Sequence, residues 1–415
     1  MKKKIIIYSI LLVVFISISL LIKRYQFSWP DIGAALGILT LVLLFLIQLI
    51  FFKNRKITLT VGLFAIALYV LILQLIYIDW PQGLNGDLSI KANYESYNWD
   101  TAKPEDFGVS SKEIEKEIKL LNNSEFISSF LLIKSGKLIV ERYFHGADVN
   151  SAFNIKSSTK GILSALVGIA IDKGYIKSVN DKMIDYLHEY KNQLKDTNKL
   201  KITIKDLLTM QEGLDVKPSA FRRSSLKEAL IESEFNQKKY KSFEYSDESP
   251  VILSNIITRV SGLSTYDFAV KELFNPIDIH VRKWAKSVDG IYLGGADSYF
   301  TARDMARFGY LYLQNGNING KQIVPVNWIK ESTISCDGAK MSDNSCYTEK
   351  GYGYLWWIGV NAGYNCYAAH GYGGQAIVVI PDLDMIMVFT HYWRNEDKKE
   401  KEAESFCRII KMFTK

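Results

Sequence analysis

Ser157-Ser158-Thr159-Lys160 opens the run Gly-Ile-Leu-Ser-Ala-Leu-Val-Gly-Ile-Ala-Ile-Asp-Lys-Gly at Gly161–Gly174. The run is too long for a strand and carries Ala and Gly where neighbours can approach closely, which predicts a buried helix. Residues three apart share a helix face, so a Ser in the first turn with a Lys three positions on holds an amine against a hydroxyl. A serine hydroxyl is a weak nucleophile near neutral pH and needs such a base within reach. The helix N-terminus adds a positive dipole end that favours a developing oxyanion. At the mouth of a buried helix the amine loses solvent, and its pKa is expected to fall. The same spacing recurs at Ser224-Ser225-Leu226-Lys227, but Glu228 and Glu232 follow it, so a solvated face is expected there.

Outward from this helix the pattern is mixed. Ser111–Asn122 reads as a helix, and Ile127–Ile133 and Leu138–Tyr143 as strands joined by the turn Lys134-Ser135-Gly136-Lys137. Capping boxes at Thr203-x-x-Asp206 and Thr301-x-x-Asp304, each before apolar residues, announce two more helices. Tyr352–Val360, Tyr367–Ala369, Ala376–Ile380 and Met385–Thr390 are short β-branched and aromatic runs divided by turns, and Lys398–Phe413 is a charged amphipathic helix. Strands at both ends with helices between predict an α+β domain. Its mixed antiparallel sheet is flanked by helices, carries a helical insert, and brings its first strands back beside its last.

The chain has 415 residues, 48% of them apolar and 23% charged, which excludes a disordered or collagen-like protein. Its formal charge of +7 is uneven. Residues 1–79 hold eight Lys or Arg against two acids, a net +6, leaving +1 for 80–415, so no nucleic-acid footprint is expected. The excess flanks three uncharged apolar runs, Ile5–Ile22, Ile32–Phe52 and Ile57–Ile78, of 18, 21 and 22 residues. Each is long enough to span a bilayer core of roughly 30 Å as a helix. Lys2–Lys4 with Lys53, Arg55 and Lys56 on one side, against Lys23 and Arg24 on the other, place the N-terminus in the cytoplasm by the positive-inside rule. Three spans then leave everything from Trp80 onward extracytoplasmic, in contact with the lipid bilayer only through the anchor. Residues 80–103 lack a period and read as a tether, which makes 104–415 the folded domain. Cys336 and Cys346 flank a loop and are either a disulfide of an oxidising compartment or two thiols.

Five segments occur in a telling order: Ser157-x-x-Lys160; Ile202–Leu214; Phe243-Glu244-Tyr245-Ser246-Asp247; Thr301–Gly309; and His370-Gly371-Tyr372-Gly373-Gly374-Gln375. Together they resemble the serine beta-lactamase-related hydrolases of the class C type, the group that includes DD-peptidases, esterases and 6-aminohexanoate-dimer hydrolases. The resemblance runs from about Asp106 to the C-terminus. It implies Ser157 as the nucleophile of an acyl-enzyme, Lys160 as the partner taking its proton, and Tyr245, matching the tyrosine of a Tyr-x-Asn motif, as base and shuttle. The third motif fits in two registers, His370-Gly371-Tyr372 or Ala369-His370-Gly371. The second is preferred because it keeps a glycine where the strand lies close to substrate. It implies an oxyanion hole from the backbone N–H groups of Ser157 and Tyr372, with His370 pointing into the cleft and Gly371 and Asp247 contacting substrate.

Two departures narrow the substrate. Ala369 stands where the family has a carboxylate-holding lysine, and Asp247 stands for the usual Asn. A missing cation and an added anion disfavour an acidic substrate, unless Arg303 or Lys241 takes over, and tilt the expectation toward an esterase or amidase. Tyr352, Tyr354, Trp356, Trp357 and Trp393 either wall an apolar cleft or pack the core. The sequence thus predicts a membrane-anchored extracytoplasmic serine hydrolase facing the cell wall or exterior and acting on a small-molecule or peptide ester or amide. The alternatives are a penicillin-binding DD-peptidase or beta-lactamase, or a non-catalytic wall-sensing module. No metal or organic cofactor is called for, and no protein partner is indicated.

Overall fold

The apolar runs at the two ends of the domain pair with one another. A computed structural model describes residues 89–91, 95–123, 127–215, 225–287, 289–336, 347–391 and 399–414. Ile127–Lys134 (β1) and Lys137–Tyr143 (β2) form a hairpin. Tyr347–Tyr352 (β3), Trp357–Asn361 (β4), Tyr364–Gly371 (β5), Gln375–Ile380 (β6) and Met385–His391 (β7) form a meander. β7 lies against β1, with Ile386 opposite Ile133 and Val388 opposite Leu131. The sheet order is therefore β3-β4-β5-β6-β7-β1-β2, antiparallel throughout.

Helices cover both faces. Leu131, Ile133, Ile377, Val379, Ile386 and Val388 share a core with the helices Thr159–Asp172 (α2), Glu248–Ser261 (α3) and Ala302–Leu313 (α4). Phe130, Leu132, Val378, Met387 and Phe389 share the other core with Ser111–Asn122 (α1) and Lys399–Met412 (α5). With neither face in water, the strands read as nearly continuous apolar runs instead of alternating ones. The approach of α4 to the sheet depends on Gly309, where a β-carbon would come within 2.9 Å of methyls on both Ile377 and Ile386.

The caps form as their sequences foretell. Thr203 Oγ1 accepts from Asp206 N at 3.1 Å and Asp206 Oδ2 from Thr203 N at 3.0 Å. Thr301 Oγ1 accepts from Asp304 N at 3.2 Å. The run Tyr352–Val360 divides, however, into the end of β3 and the start of β4. Leu355, with φ of 64°, turns the chain between them and donates its N–H to Leu208 O at 2.9 Å.

The stretch 80–103 also differs from the expected tether. Ser89–Lys91 pairs with Ser151–Asn154 in a second, four-stranded sheet. Trp99 is buried, edge-on to Tyr310 at 5.6 Å, and the Arg307 guanidinium lies 3.9 Å from the Tyr97 ring centroid. Docking through single aromatic residues leaves no periodicity to read. The three apolar runs of 1–79 and the orientation drawn from their charges lie outside the described residues, as do Ser224, Cys346 with its disulfide alternative, and Trp393. Among the described residues no helix is long and apolar enough to cross a membrane.

Burial pushes the Asp304 carboxyl in the first turn of α4 up to about 7, against the Thr301 hydrogen bonds. The folded state thus binds this proton more tightly than the unfolded chain, where 3.8 is the ordinary value. Its stabilising contribution is complete below that ordinary value and is lost as pH rises through about 7. Denaturant unfolding from about pH 5 to about pH 8 is expected to show stability falling with pH, less steeply for Asp304→Asn. An identical slope in the variant would contradict this assignment.

Candidate active site

Ser157 sits on a turn held from several sides. Strand Ser151–Asn154 leads into Lys156, whose φ of 50° is uncommon for a residue with a β-carbon, and the single turn Lys156–Ser158 runs directly into α2. Such backbone persists only where its surroundings enforce it. Here Lys156 N donates to Asn154 Oδ1 at 2.9 Å and Lys156 Nζ pairs with Asp297 at 3.3 Å. The Ser158 hydroxyl donates to Ala369 O on β5 at 2.9 Å. Gly371 completes the seat, because a β-carbon there would overlap the carbonyl oxygen of Ile155. The glycine is thus required by the turn's own backbone, not by room for substrate.

Lys160 lies one helical turn on, as the spacing predicts, and is 1% exposed. Its ammonium donates to Ser157 Oγ at 3.2 Å, Gly295 O at 3.0 Å and Asp247 Oδ1 at 2.6 Å. Three acceptors match its three protons, which is what a buried ammonium requires. Burial works to lower its pKa, but Asp247, by charge and hydrogen bond, and the neighbouring Tyr245 outweigh burial and the net shift is upward. The expected fall is therefore corrected: the lysine is desolvated, but it is also neutralised by a carboxylate that comes from 87 residues away.

Tyr245 and Asp247 arrive on the segment before α3. The Tyr245 ring stacks on Trp357 at 5.3 Å, meets Tyr352 edge-on at 6.1 Å, and has Lys160 Nζ 4.9 Å from its centroid. Tyr352, Tyr354 and Trp356 are buried core residues, and Trp357 is the aromatic of that group stacked on the candidate base.

Tyr372 follows β5 at the tip of the hairpin into β6 and is 66% exposed. Side chains alternate along β5. Tyr367 and Ala369 belong to the α2 side, Cys366 and Ala368 to the α1 side, so alternation gives His370 the face away from α2. His370 thus takes the position opposite Ala376 in the register, between Ala369 and Gly371. Neither proposed substitute cation is free: Arg303 forms two hydrogen bonds to Glu141, at 2.7 and 2.8 Å, and Lys241 pairs with Asp206. At the second Ser-x-x-Lys, Lys227 pairs with Glu232 on an exposed face, as expected.

Two contributors escape a reading of the sequence. Gly295 supplies the carbonyl under Lys160, and only the Gly294-Gly295 pair hints at a close approach. Glu212 is buried behind Tyr245 and Asp247, its Oε1 on the Ser246 hydroxyl at 2.6 Å. Nothing in its neighbourhood of sequence distinguishes it from a surface acid. Among the described residues no group of three or more His, Cys, Asp or Glu side chains is placed to hold a metal ion.

Because the Ser157 turn and β5 touch at Gly371, Gly371→Ala is expected to slow fluorophosphonate labelling of Ser157 by about 10²-fold, the scale of a misplacement near 1 Å. Far-UV circular dichroism should be retained. Labelling at the wild-type rate would show that the close approach does not set the geometry of Ser157.

The family model "Beta-lactamase" matches residues 128–405, more than half of the chain. A 6-aminohexanoate-dimer hydrolase of Paenarthrobacter ureafaciens is 23% identical over 296 residues, covering 65% of this chain and 74% of that protein. Among solved structures, FmtA from Staphylococcus aureus superposes with a TM-score of 0.56 at 18% identity, covering 77% of this chain and 93% of that one. A penicillin binding protein from Bacillus halodurans gives 0.53 at 15% identity, covering 72% and 99%. At such identities the superpositions speak for the fold, whereas the family match extends over both halves of the sheet and the segments that bring Ser157, Lys160, Tyr245 and Asp247 together. The chain belongs to the beta-lactamase family and is a serine hydrolase.

Proposed function

We propose that this chain hydrolyses an ester or amide of a small molecule or peptide through an acyl-enzyme on Ser157, outside the membrane to which residues 1–79 anchor it. The observation that carries the proposal is the buried Lys160 ammonium 3.2 Å from Ser157 Oγ, with Asp247 as its counter-ion. The name of the Paenarthrobacter relative supports a small-molecule substrate. The three apolar runs and their flanking charges support the anchor, with the domain 104–415 on the extracytoplasmic side.

In the proposed route the Lys160–Tyr245 pair first gives up one proton to solvent, and the base so formed takes the proton of the Ser157 hydroxyl. Oγ attacks the carbonyl carbon, and the oxyanion is received by the N–H groups of Ser157 and Tyr372. Collapse breaks the ester or amide bond, the leaving alcohol or amine takes the proton from the pair, and the acyl group stays on Oγ. Water then gives a proton to the same pair and attacks the acyl carbon, the Oγ–acyl bond breaks to release the acid, and Oγ takes the proton back from the pair. Asp247 places a carboxylate, itself well exposed, against Lys160, and Ala369 offers no cation. Both features favour a neutral ester or amide over an anionic one.

Fluorophosphonate and benzylpenicillin applied separately to the full chain, followed by mass spectrometry, test this reading. Fluorophosphonate mass on Ser157, lost in Ser157→Ala while the fold survives, is the expected result. Adducts from both reagents would favour a penicillin-binding enzyme, and none from either a non-catalytic module. A second expectation concerns pH. Asp247 raises the Lys160 pKa, so Asp247→Asn should move the alkaline rise of the labelling rate to lower pH. A rise at unchanged pH would remove Lys160 from the reacting pair.

A further inference from the structure

Glu212 precedes Gly213, whose φ is 68°, and is 2% exposed. Its Oε1 accepts the hydroxyl proton of Ser246 at 2.6 Å. Ser246 Oγ accepts the Ser249 N–H at 3.3 Å, so the single proton of that hydroxyl is directed to Glu212. Ser246 is the residue between Tyr245 and Asp247, the two groups placed against Lys160. The same segments are laced by backbone links from Lys241 N to Gln211 O at 2.9 Å and Glu244 N to Met210 O at 3.0 Å.

A buried carboxyl is a costly way to add one more link. Glu212 Oε2 has no hydrogen-bond partner among the described residues, and an unserved buried oxygen costs stability. Asn or Ser would bridge to Ser246 more cheaply, and an apolar side chain would fill the space without that cost. What an acid offers instead is a bond that strengthens when it ionises.

We propose that Glu212 is a positioning residue for the hydrolysis: by holding Ser246 it sets Tyr245 and Asp247 at their distances from Lys160, and so prepares Ser157. This rests on the acyl-enzyme reading of Ser157, Lys160 and Tyr245. Burial pushes the carboxyl up to about 7, the charge of Glu248 acting the same way and the hydrogen bond from Ser246 opposing. The titratable groups around it are Glu248 at the start of α3, Tyr352 on β3, and Tyr245 and Asp247 on its own partner loop. The latch therefore tightens as pH rises through about 7.

Fluorophosphonate labelling rates of the full chain, measured across that pH range, test the proposal. Glu212→Ala and Ser246→Ala are each expected to slow labelling by about 10²-fold, and the double variant no further, because both remove one link. Glu212→Gln keeps an acceptor for Ser246, so it should restore most of the rate while losing the wild-type inflection near neutral pH. Should Glu212→Ala fail to fold, Ser246→Ala and Glu212→Gln carry the test. The proposal is overturned if the single effects add, if Ser246→Ala labels like wild type, or if Glu212→Gln keeps the inflection. A wild-type chain that is not labelled at Ser157 at all would instead overturn the acyl-enzyme reading on which this one stands.

Discussion

One buried ammonium organises this domain. Lys160 is nearly without solvent, and a charge so placed survives only if every proton it carries finds an acceptor. Its three acceptors come from three separate parts of the chain: Ser157 on the turn that leads into α2, Asp247 before α3, and Gly295 before the strand Ser298–Thr301. Ridding the lysine of any one leaves a buried charge underserved, so the demand of a single side chain ties the helical insert to the mouth of α2. The sheet supplies the remaining wall, because Gly371 and Ala369 on β5 lie against the turn that carries Ser157.

The two layers of the structure have different physical bases. The sheet is held by apolar burial on both faces, which tolerates approximate packing and depends on total area more than on any one pair. The site is held by short polar contacts and by backbone in an unfavourable region at Lys156, where small displacements matter. The acidic balance of the site follows from the same residues. Asp247 answers Lys160, Glu248 and Glu212 lie beside it with carboxyls raised by burial, and Arg303 and Lys241 are occupied elsewhere.

Much of the fold was legible because it rests on local pattern. The hairpin β1–β2, the helices α1, α2 and α5, and the caps of Thr203 and Thr301 are each written within one short continuous stretch of sequence. The pair Ser157 and Lys160 was legible for the same reason, since three residues make most of a helical turn. Tyr245 and Asp247 came from the order of motifs alone, since no local rule brings residue 247 to residue 160. That distance explains the misjudged charge of Lys160: helix amphipathicity reveals burial but not the carboxylate that answers it. His370 illustrates another limit, since strand alternation assigns faces only once the register is known. Tyr97 and Trp99 dock without any period, and Glu212 is an acid whose burial depends wholly on tertiary contacts.

In the proposed site Ser157, Lys160, and the N–H groups of Ser157 and Tyr372 surround one reacting carbonyl. A crystal structure of the fluorophosphonate adduct tests it most directly. The expected adduct has phosphorus on Ser157 Oγ, with one phosphonyl oxygen within hydrogen-bond distance of both N–H groups and Lys160 Nζ still on Oγ. Phosphorus on another side chain, or a phosphonyl oxygen turned away from both N–H groups with Lys160 withdrawn, would contradict it.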